Sequence, residues 1–417
     1  MKVFKFGGAS IKDPQAIRNV LHVLRTVGFD NSLLIASAMG KTTNALEDVV
    51  NAYFKKPEEL KNVLQIVKNY HLDIMNDLFE NKEHLVFGKV NVLFGEMEFF
   101  LSNNKSPNYN FVYDQIVPFG EILSTTILSY FFNDQEIDTI WIDARNLIKT
   151  DTTYRDGIVD WNKTENNIKN QIQSEKLYIT QGFIGSDPNH FSVTLGREGS
   201  DYSAAIFAYC LNADSVTIWK DVPGVLNADP RYFEDTVLLN HISYHEAIEL
   251  AFYGASVIHP KTLQPLQGKD IPLYVKSFVN PTLAGTTVSK GAHLEPATSC
   301  FIVKKNQLLI SISSKDFSFI MENQVSDIFR MFGEQHIKVN VIQNSAISFT
   351  VCVEDKFDHF EGMLSELSNN FNVTYNEDVS LYTIRHFTNE AANKVMQNKE
   401  VLLQQINRET MQIVIKE

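Results

Sequence analysis

The chain has 417 residues, 44% hydrophobic and 21% charged, with a formal net charge of −13. That is a globular composition long enough for two or three domains, and its acidity, with no dense Lys/Arg run, argues against a nucleic-acid partner while leaving room for a local phosphate pocket. Cys210, Cys300 and Cys352 are too scattered for a disulfide framework or a zinc pattern, and no apolar run is long enough to cross a bilayer, so a cytoplasmic protein without nucleic-acid or membrane partners is expected.

The β-type run Met1–Phe6 ends in Lys5-Phe-Gly-Gly-Ala-Ser10. Glycines bring backbone N–H groups close to anionic oxygens and a lysine adds a point charge, so this reads as a phosphate cradle, or more simply as a strand end that turns. No signal peptide is expected before a motif that begins this early. Leu33–Ala36 reads as a buried strand. Ser37-Ala-Met-Gly-Lys-Thr-Thr43 resembles the tail of a Walker loop, but Ile35 stands where its first glycine is required, so the segment more simply places Ser37, Thr43 and Asn44 at a strand end. Thr43-Asn44 then opens a helix with Leu46, Val49, Val50 and Tyr53 at helical spacing. Residues 57–100 carry a long helical period (Leu60, Leu64, Val67, Leu72, Met75, Leu78) and read as an insertion or lid.

Thr139–Ile142, Leu177–Thr180 and Ser215–Trp219 are further buried-strand candidates, and Ser200–Leu211 a helix. Strands separated by helices predict a three-layer α/β domain with a mainly parallel sheet. Gly196-Arg-Glu-Gly-Ser-Asp201 precedes that helix, which makes an anion-friendly N-terminus where Arg197 can clamp a carboxylate or phosphate; Asp201 could also merely cap the helix. Lys220-Asp221 ends an apolar strand, where open α/β sheets bind ligands. Asp229-Pro-Arg231 closes the following loop, and Asp221 and Arg231 could instead form a structural ion pair. His241 and His245 read as a helix face rather than a zinc site. No Gly-x-Gly-x-x-Gly or Asp-Phe-Gly occurs.

Gly291–Thr298 is the best linker candidate. Beyond it the order is strand (Leu308–Ile312), helix (Met321–Gln335), strand (Ile337–Ile342), strand (Ala346–Val353), helix (Lys356–Asn369) and strand (Phe371–Tyr375), a ferredoxin-like βαββαβ pattern. A second copy begins at Val379 with a helix at Asn389–Gln397 and strands Val401–Ile406 and Met411–Ile415. It reads as truncated, so it must borrow an edge from the first copy or from a partner chain. The expected domains are 1–295, 300–376 and 377–417.

Together these motifs resemble the aspartokinases of the amino-acid kinase superfamily. The resemblance rests on Lys-Phe-Gly-Gly, Ser37-Ala…Thr43-Asn44, Phe119-Gly-Glu121, Gly-Arg-x-Gly-Ser-Asp, Trp-Lys-Asp-Val-Pro-Gly, Asp-Pro-Arg and Gly254-Ala-x-Val-Ile-His-Pro260, with paired ACT-type modules after them. It implies an amino-acid-kinase-like α/β domain followed by ferredoxin-like ACT modules. It implies ATP-dependent phosphorylation of the L-aspartate side-chain carboxylate to 4-phospho-L-aspartate, the first step toward lysine, methionine and threonine. By matching positions, Lys5 and Asp201 would be catalytic. Lys5, Gly7, Gly8, Lys220, Asp221 and Arg231 would bind ATP. Ser37, Thr43, Glu121, Arg197, Ser200 and Asp201 would bind aspartate. Mg2+ would be held mainly by the nucleotide, with no protein metal site.

ACT modules commonly pair and bind an amino acid, so Asn340, Gln343 and Asn344 would contact an effector, lysine first and threonine second, in a homodimer or higher homo-oligomer. An edge strand with turn residues explains the same segment without a ligand, and the apparent truncation also leaves an unregulated enzyme open. Four positions depart from the family pattern: Ala9 for Thr, Glu198 for Gly, Leu226 for Tyr and Ser256 for Lys. Glu198, Leu226 and Ser256 support one alternative, a non-catalytic amino-acid sensor; a different amino-acid kinase is the alternative within enzymes. Length and the missing dinucleotide motif point away from a fused homoserine dehydrogenase.

Overall fold

The computed structural model describes every residue except 174, 175, 256, 257, 292, 317 and 417. The chain divides into two compact units, one formed by Met1–Val225, Leu238–Ile248 and Val257–Pro296, the other by Leu226–Val237, Glu249–Ser256 and Ala297–Glu417. The departure at Ser256 lies outside the described residues.

The first unit is built on β1 (Lys2–Phe6), β2 (Ser32–Ala36), β3 (Thr139–Ile142), β4 (Leu177–Gln181), the hairpin β5 (Ile184–Ser186) and β6 (Ser192–Thr194), β7 (Ser215–Lys220), β8 (His241–Ser243), β9 (Leu273–Ser277) and β10 (Thr286–Ser289). Its helices are α1 (Pro14–Val27), α2 (Thr42–Lys55), α3 (Leu60–Leu78), α4 (Leu85–Asn103), α5 (Tyr109–Ile116), α6 (Phe119–Asp134), α7 (Ala144–Leu147), α8 (Trp161–Gln171), α9 (Gly199–Leu211), α10 (Tyr244–Tyr253), which runs on into the second unit, and α11 (Pro260–Gly268). An eight-stranded sheet runs in the order β3-β4-β2-β1-β7-β9-β10-β8, parallel except for β9–β10. The predicted three-layer, mainly parallel architecture is present.

β2 and β4 are buried along their whole length, and β1 along all but its first residue, because parallel strands covered on both faces read as apolar runs. β1 lies between β2 and β7, in register as Phe6↔Ala36 and Phe6↔Trp219. The chain leaves β1 toward β2 on one side and takes up β7 on the other. The carboxyl ends of these strands therefore flank a switch point, where such sheets open a crevice.

The predicted insertion at 57–100 forms α3 and α4, and the structure does not make it a lid. Leu64, Val67, Met75, Phe94 and Met97 are buried in the same core as Phe6, Leu34 and Trp219. His241 sits on the strand β8, not on a helix, and is exposed, as is His245 on α10. No helix among the described residues is long and apolar enough to cross a membrane.

The second unit carries β11 (Cys300–Ser314), α12 (Glu322–Glu334), β12 (Lys338–Asn344), β13 (Ser348–Glu354), α13 (Phe360–Asn370), β14 (Phe371–Arg385), α14 (Asn389–Met396), β15 (Glu400–Asn407) and β16 (Thr410–Lys416). They form one antiparallel sheet in the order β12-β13-β11-β14-β16-β15. The short strands predicted at Leu308–Ile312 and Phe371–Tyr375 are parts of two 15-residue strands. No glycine or proline breaks either, and the register shifts in β11 near Lys304–Leu309 absorb the twist as bulges. The first half of β11 pairs with Leu381–Arg385, so the C-terminal half of the sheet takes a strand from ahead of the first ferredoxin-like pattern.

Candidate active site

A cavity of about 520 Å³ opens at the carboxyl ends of the central strands and lies wholly within the first unit. Lys5, the penultimate residue of β1, enters it from below with only 9% of its surface exposed. Gly8 is fixed by close approach: a Cβ there would meet the carbonyl oxygens of Ala38 at 2.7 Å and Gly40 at 2.8 Å. The Gly40 N–H donates to the Gly8 carbonyl at 3.0 Å, which joins the loop after β1 to the loop after β2.

Asp201, in the first turn of α9, points back at β1. Its Oδ1 lies 2.6 Å from Lys5 Nζ, and its Oδ2 lies 3.9 Å from Lys220 Nζ at the end of β7. Gly182 lets α9 come this close, since a Cβ there would sit 2.6 Å from the Ser200 Cβ. Ser203 Oγ accepts the Phe183 N–H at 2.8 Å and donates to the Gly199 carbonyl at 2.9 Å, which fastens the helix start to the loop after β4.

Glu121, in the first turn of α6, is 2% exposed. Its Oε1 accepts the Ala38 N–H at 3.1 Å, while Oε2 is buried with no hydrogen-bond partner among the described residues. Burial pushes this carboxyl up to about 8, against the opposing pull of the Ala38 N–H and the Lys5 charge. A buried acid with one unused oxygen at a cavity wall is a receptor for a hydrogen-bonding cation.

Three bulky residues of the cavity lining hold left-handed backbones, Arg155 at φ 71°, Phe183 at φ 72° and Glu198 at φ 53°. Such a conformation costs a non-glycine residue about 1–2 kcal/mol. Glu198 stands just before α9, and its Oε2 is buried without a hydrogen-bond partner among the described residues. It lines the cavity, so its charge stays beside Arg197. Arg155 is held by Asp114, whose Oδ2 accepts the Arg155 N–H at 2.9 Å and the Thr194 N–H at 3.0 Å.

The cavity brings together Lys5, Ser37, Thr43, Glu121, Arg197, Ser200, Asp201 and Lys220. Gly7 stands beside the Lys5 ammonium, with a Cβ position 3.4 Å from Nζ. Asp221 is exposed and does not line the cavity. Arg231 belongs to the second unit and pairs with Asp229 at 2.6 Å, so the proposed Asp221–Arg231 pair is replaced by this tight local one. Lys261 pairs with Asp156. Ala9 is exposed beyond β1, and Leu226 lies in the second unit.

Tyr113, Arg155, Phe183 and Thr194 also line the site and escaped the sequence reading. The Asp156-Gly157 turn signal marks a loop near Arg155, but nothing in the sequence turns that guanidinium toward the cavity.

A cavity that holds the Lys5 and Lys220 cations, a buried acid with an unused oxygen and the exposed Arg197 guanidinium suits a ligand carrying an ammonium and a carboxylate, set beside a second, strongly anionic one.

The amino acid kinase family model matches residues 1–277. Lysine-sensitive aspartokinase 3 of Escherichia coli (strain K12) is 30% identical over 365 residues, 84% of this chain and 78% of that protein. The chloroplastic bifunctional aspartokinase/homoserine dehydrogenase 2 of Arabidopsis thaliana is 28% identical over 365 residues. The chain spans about two-fifths of the length of the first such bifunctional relatives it matches, 39% in that case. The E. coli aspartokinase III structure in complex with lysine and aspartate superposes with a TM-score of 0.85 at 25% identity, covering 99% of this chain and 95% of that one.

Proposed function

The chain belongs to the amino acid kinase family, among the aspartokinases, and we propose that it transfers the γ-phosphoryl group of ATP to the side-chain carboxylate of L-aspartate. The observation that carries this reading is the pairing, in one cavity, of the unpartnered Glu121 carboxylate oxygen with the Lys5–Asp201–Lys220 cluster. Glu121 receives the substrate ammonium and Arg197 its α-carboxylate, with Ser37, Thr43 and Ser200 alongside. The side-chain carboxylate then faces Lys5.

Two anions must meet for this reaction. The attacking carboxylate is already ionised near neutral pH, so no general base is required. One carboxylate oxygen forms a bond to the γ-phosphorus as the bond to the β-phosphate oxygen breaks, and ADP leaves. Lys5 and Lys220 stabilise the charge on the transferred group, with the Gly7 and Gly8 N–H groups nearby. Asp201 holds both lysines in place. Magnesium, when bound, would supply further charge neutralisation and would be held mainly by the nucleotide, since Asp201 is engaged by the lysines. Asp221 and Arg231 are proposed on the nucleotide side by resemblance.

Domains at 1–295, 300–376 and 377–417 remain our division of labour between catalysis and regulation. Gln343 and Asn344 are exposed on β12, an edge strand open to another chain, whereas Asn340 is engaged by Lys304 at 2.8 Å and Gln307 at 2.8 Å. A homo-oligomer through these modules, with an effector at this edge, fits that arrangement. The E. coli relative is a lysine-sensitive enzyme, which makes lysine the first effector to try and threonine the second.

Competition of L-aspartate against L-glutamate in ATP-dependent ADP release separates this reading from another amino-acid kinase. A second reading, a non-catalytic sensor, is favoured by one observation, the Glu198 charge inside the cavity. Folded protein that binds lysine or threonine without aspartate-dependent ADP release would select it.

A further inference from the structure

We propose that Arg155 is a second binding group for the α-carboxylate of the amino-acid substrate, working beside Arg197. This rests on the cavity being the amino-acid site.

Arg155 and Arg197 belong to one fixed corner. Asp114, fully buried, accepts the Arg155 N–H at 2.9 Å, the Thr194 N–H at 3.0 Å and the Thr194 hydroxyl at 2.8 Å. It thereby ties the Arg155 loop to β6, the strand that leads into Gly196 and Arg197. A Cβ on Gly196 would stand 3.4 Å from the Arg155 carbonyl oxygen, so the two loops touch.

The Arg155 guanidinium is already aimed. It lies 4.1 Å from the Tyr113 ring centre and 5.7 Å from that of Tyr109, and its Nη2 donates to Glu47 Oε1 at 3.1 Å. Its Nε and Nη1 have no hydrogen-bond partner among the described residues, which leaves N–H donors for a carboxylate while Nη2 is held by Glu47. Tyr113 lies within electrostatic reach of both Arg155 and Glu121. The substrate's ammonium and α-carboxylate share one carbon, so an ammonium at Glu121 turns the carboxylate toward this corner. Lys5 and Lys220, tied to Asp201, occupy the phosphoryl end. Glu47 is the positioning residue.

The test is steady-state kinetics of wild type, Arg155→Ala, Arg155→Lys and Glu47→Gln, with thermal unfolding followed with and without L-aspartate. Arg155→Ala should raise the L-aspartate KM roughly 10- to 100-fold, the loss expected for a hydrogen bond to a charged group. Arg155→Lys should fall between, Glu47→Gln should give a smaller rise, and kcat and the ATP KM should stay within about twofold. L-Aspartate should raise the unfolding midpoint of wild type and fail to raise that of Arg155→Ala at the same concentration. An unchanged L-aspartate KM, an equal rise for ATP, or a loss confined to kcat would overturn the proposal; if Arg155→Ala does not fold, Arg155→Lys decides by the same criteria. A wild type that turns over aspartate while both Arg155 variants match it refutes this inference alone. A wild type that neither turns over nor is stabilised by L-aspartate refutes the functional reading as well.

Discussion

The Lys5 ammonium lies 2.6 Å from Asp201 Oδ1, although the two residues are separated by most of the first unit's sequence. The contact joins the carboxyl end of β1 to the start of α9, and it holds a cation where a phosphoryl group would be transferred. Lys5→Ala should lower kcat by about 10²–10³, the scale for losing one transition-state contact, with the L-aspartate KM nearly unchanged. Steady-state kinetics decides, and an unchanged kcat would remove Lys5 from the mechanism.

Glu121 links binding to pH. Its carboxyl is raised to about 8 by burial, so the free enzyme holds it neutral over much of the neutral range, and an ammonium ligand needs it ionised. The kcat/KM for L-aspartate should climb with pH, about tenfold per unit below the midpoint, and level off above it. Stability should move the other way. The folded state keeps this proton between the ordinary carboxyl value of 4.5 and about 8, where the unfolded chain has lost it, so ligand-free stability falls as pH rises through that window. Glu121→Gln should flatten both dependences; a wild-type slope that persists in the variant would assign it elsewhere.

Arg197 is exposed and makes no ion pair among the described residues. Arg197→Ala should raise the L-aspartate KM by roughly 10- to 100-fold without a matching fall in kcat. Wild-type affinity in this variant would contradict the carboxylate assignment.

Glu198 holds a left-handed backbone and a buried, unpartnered carboxylate oxygen next to Arg197. Glu198→Gly should therefore stabilise the protein by about 1 kcal/mol and lower the L-aspartate KM. Chemical denaturation and initial rates measure the two effects. A destabilised variant with a higher KM would mean that Glu198 contributes to binding.

Gly8→Ala places a methyl group against two carbonyl oxygens, those of Ala38 and Gly40. It should cost about 1–3 kcal/mol and raise the ATP KM by parting the two loops. A variant with wild-type stability and ATP affinity would show that the contact is not needed.

The central strands were legible because buried parallel strands are short apolar runs, and Lys5, Glu121, Arg197 and Asp201 because their motifs pair unusual residue types with strand ends and helix starts. Other features depend on distance in space. The burial of α3 and α4 follows from packing against α1, α2 and α6, which helical spacing alone does not reveal. Arg155 owes its place to a left-handed turn held by Asp114. Arg231 reads as a ligand by its motif, and the motif does not show that its guanidinium pairs with Asp229, two residues away. The 15-residue strands β11 and β14 look like separate short strands because their bulges interrupt the alternation.

The measurement that bears most directly on the proposed activity is hydroxamate formation from L-aspartate and Mg-ATP, with hydroxylamine trapping the acyl phosphate. Aspartate-dependent hydroxamate is expected from the wild type and its loss from Lys5→Ala. Folded protein that binds L-aspartate and ATP yet forms none would contradict it.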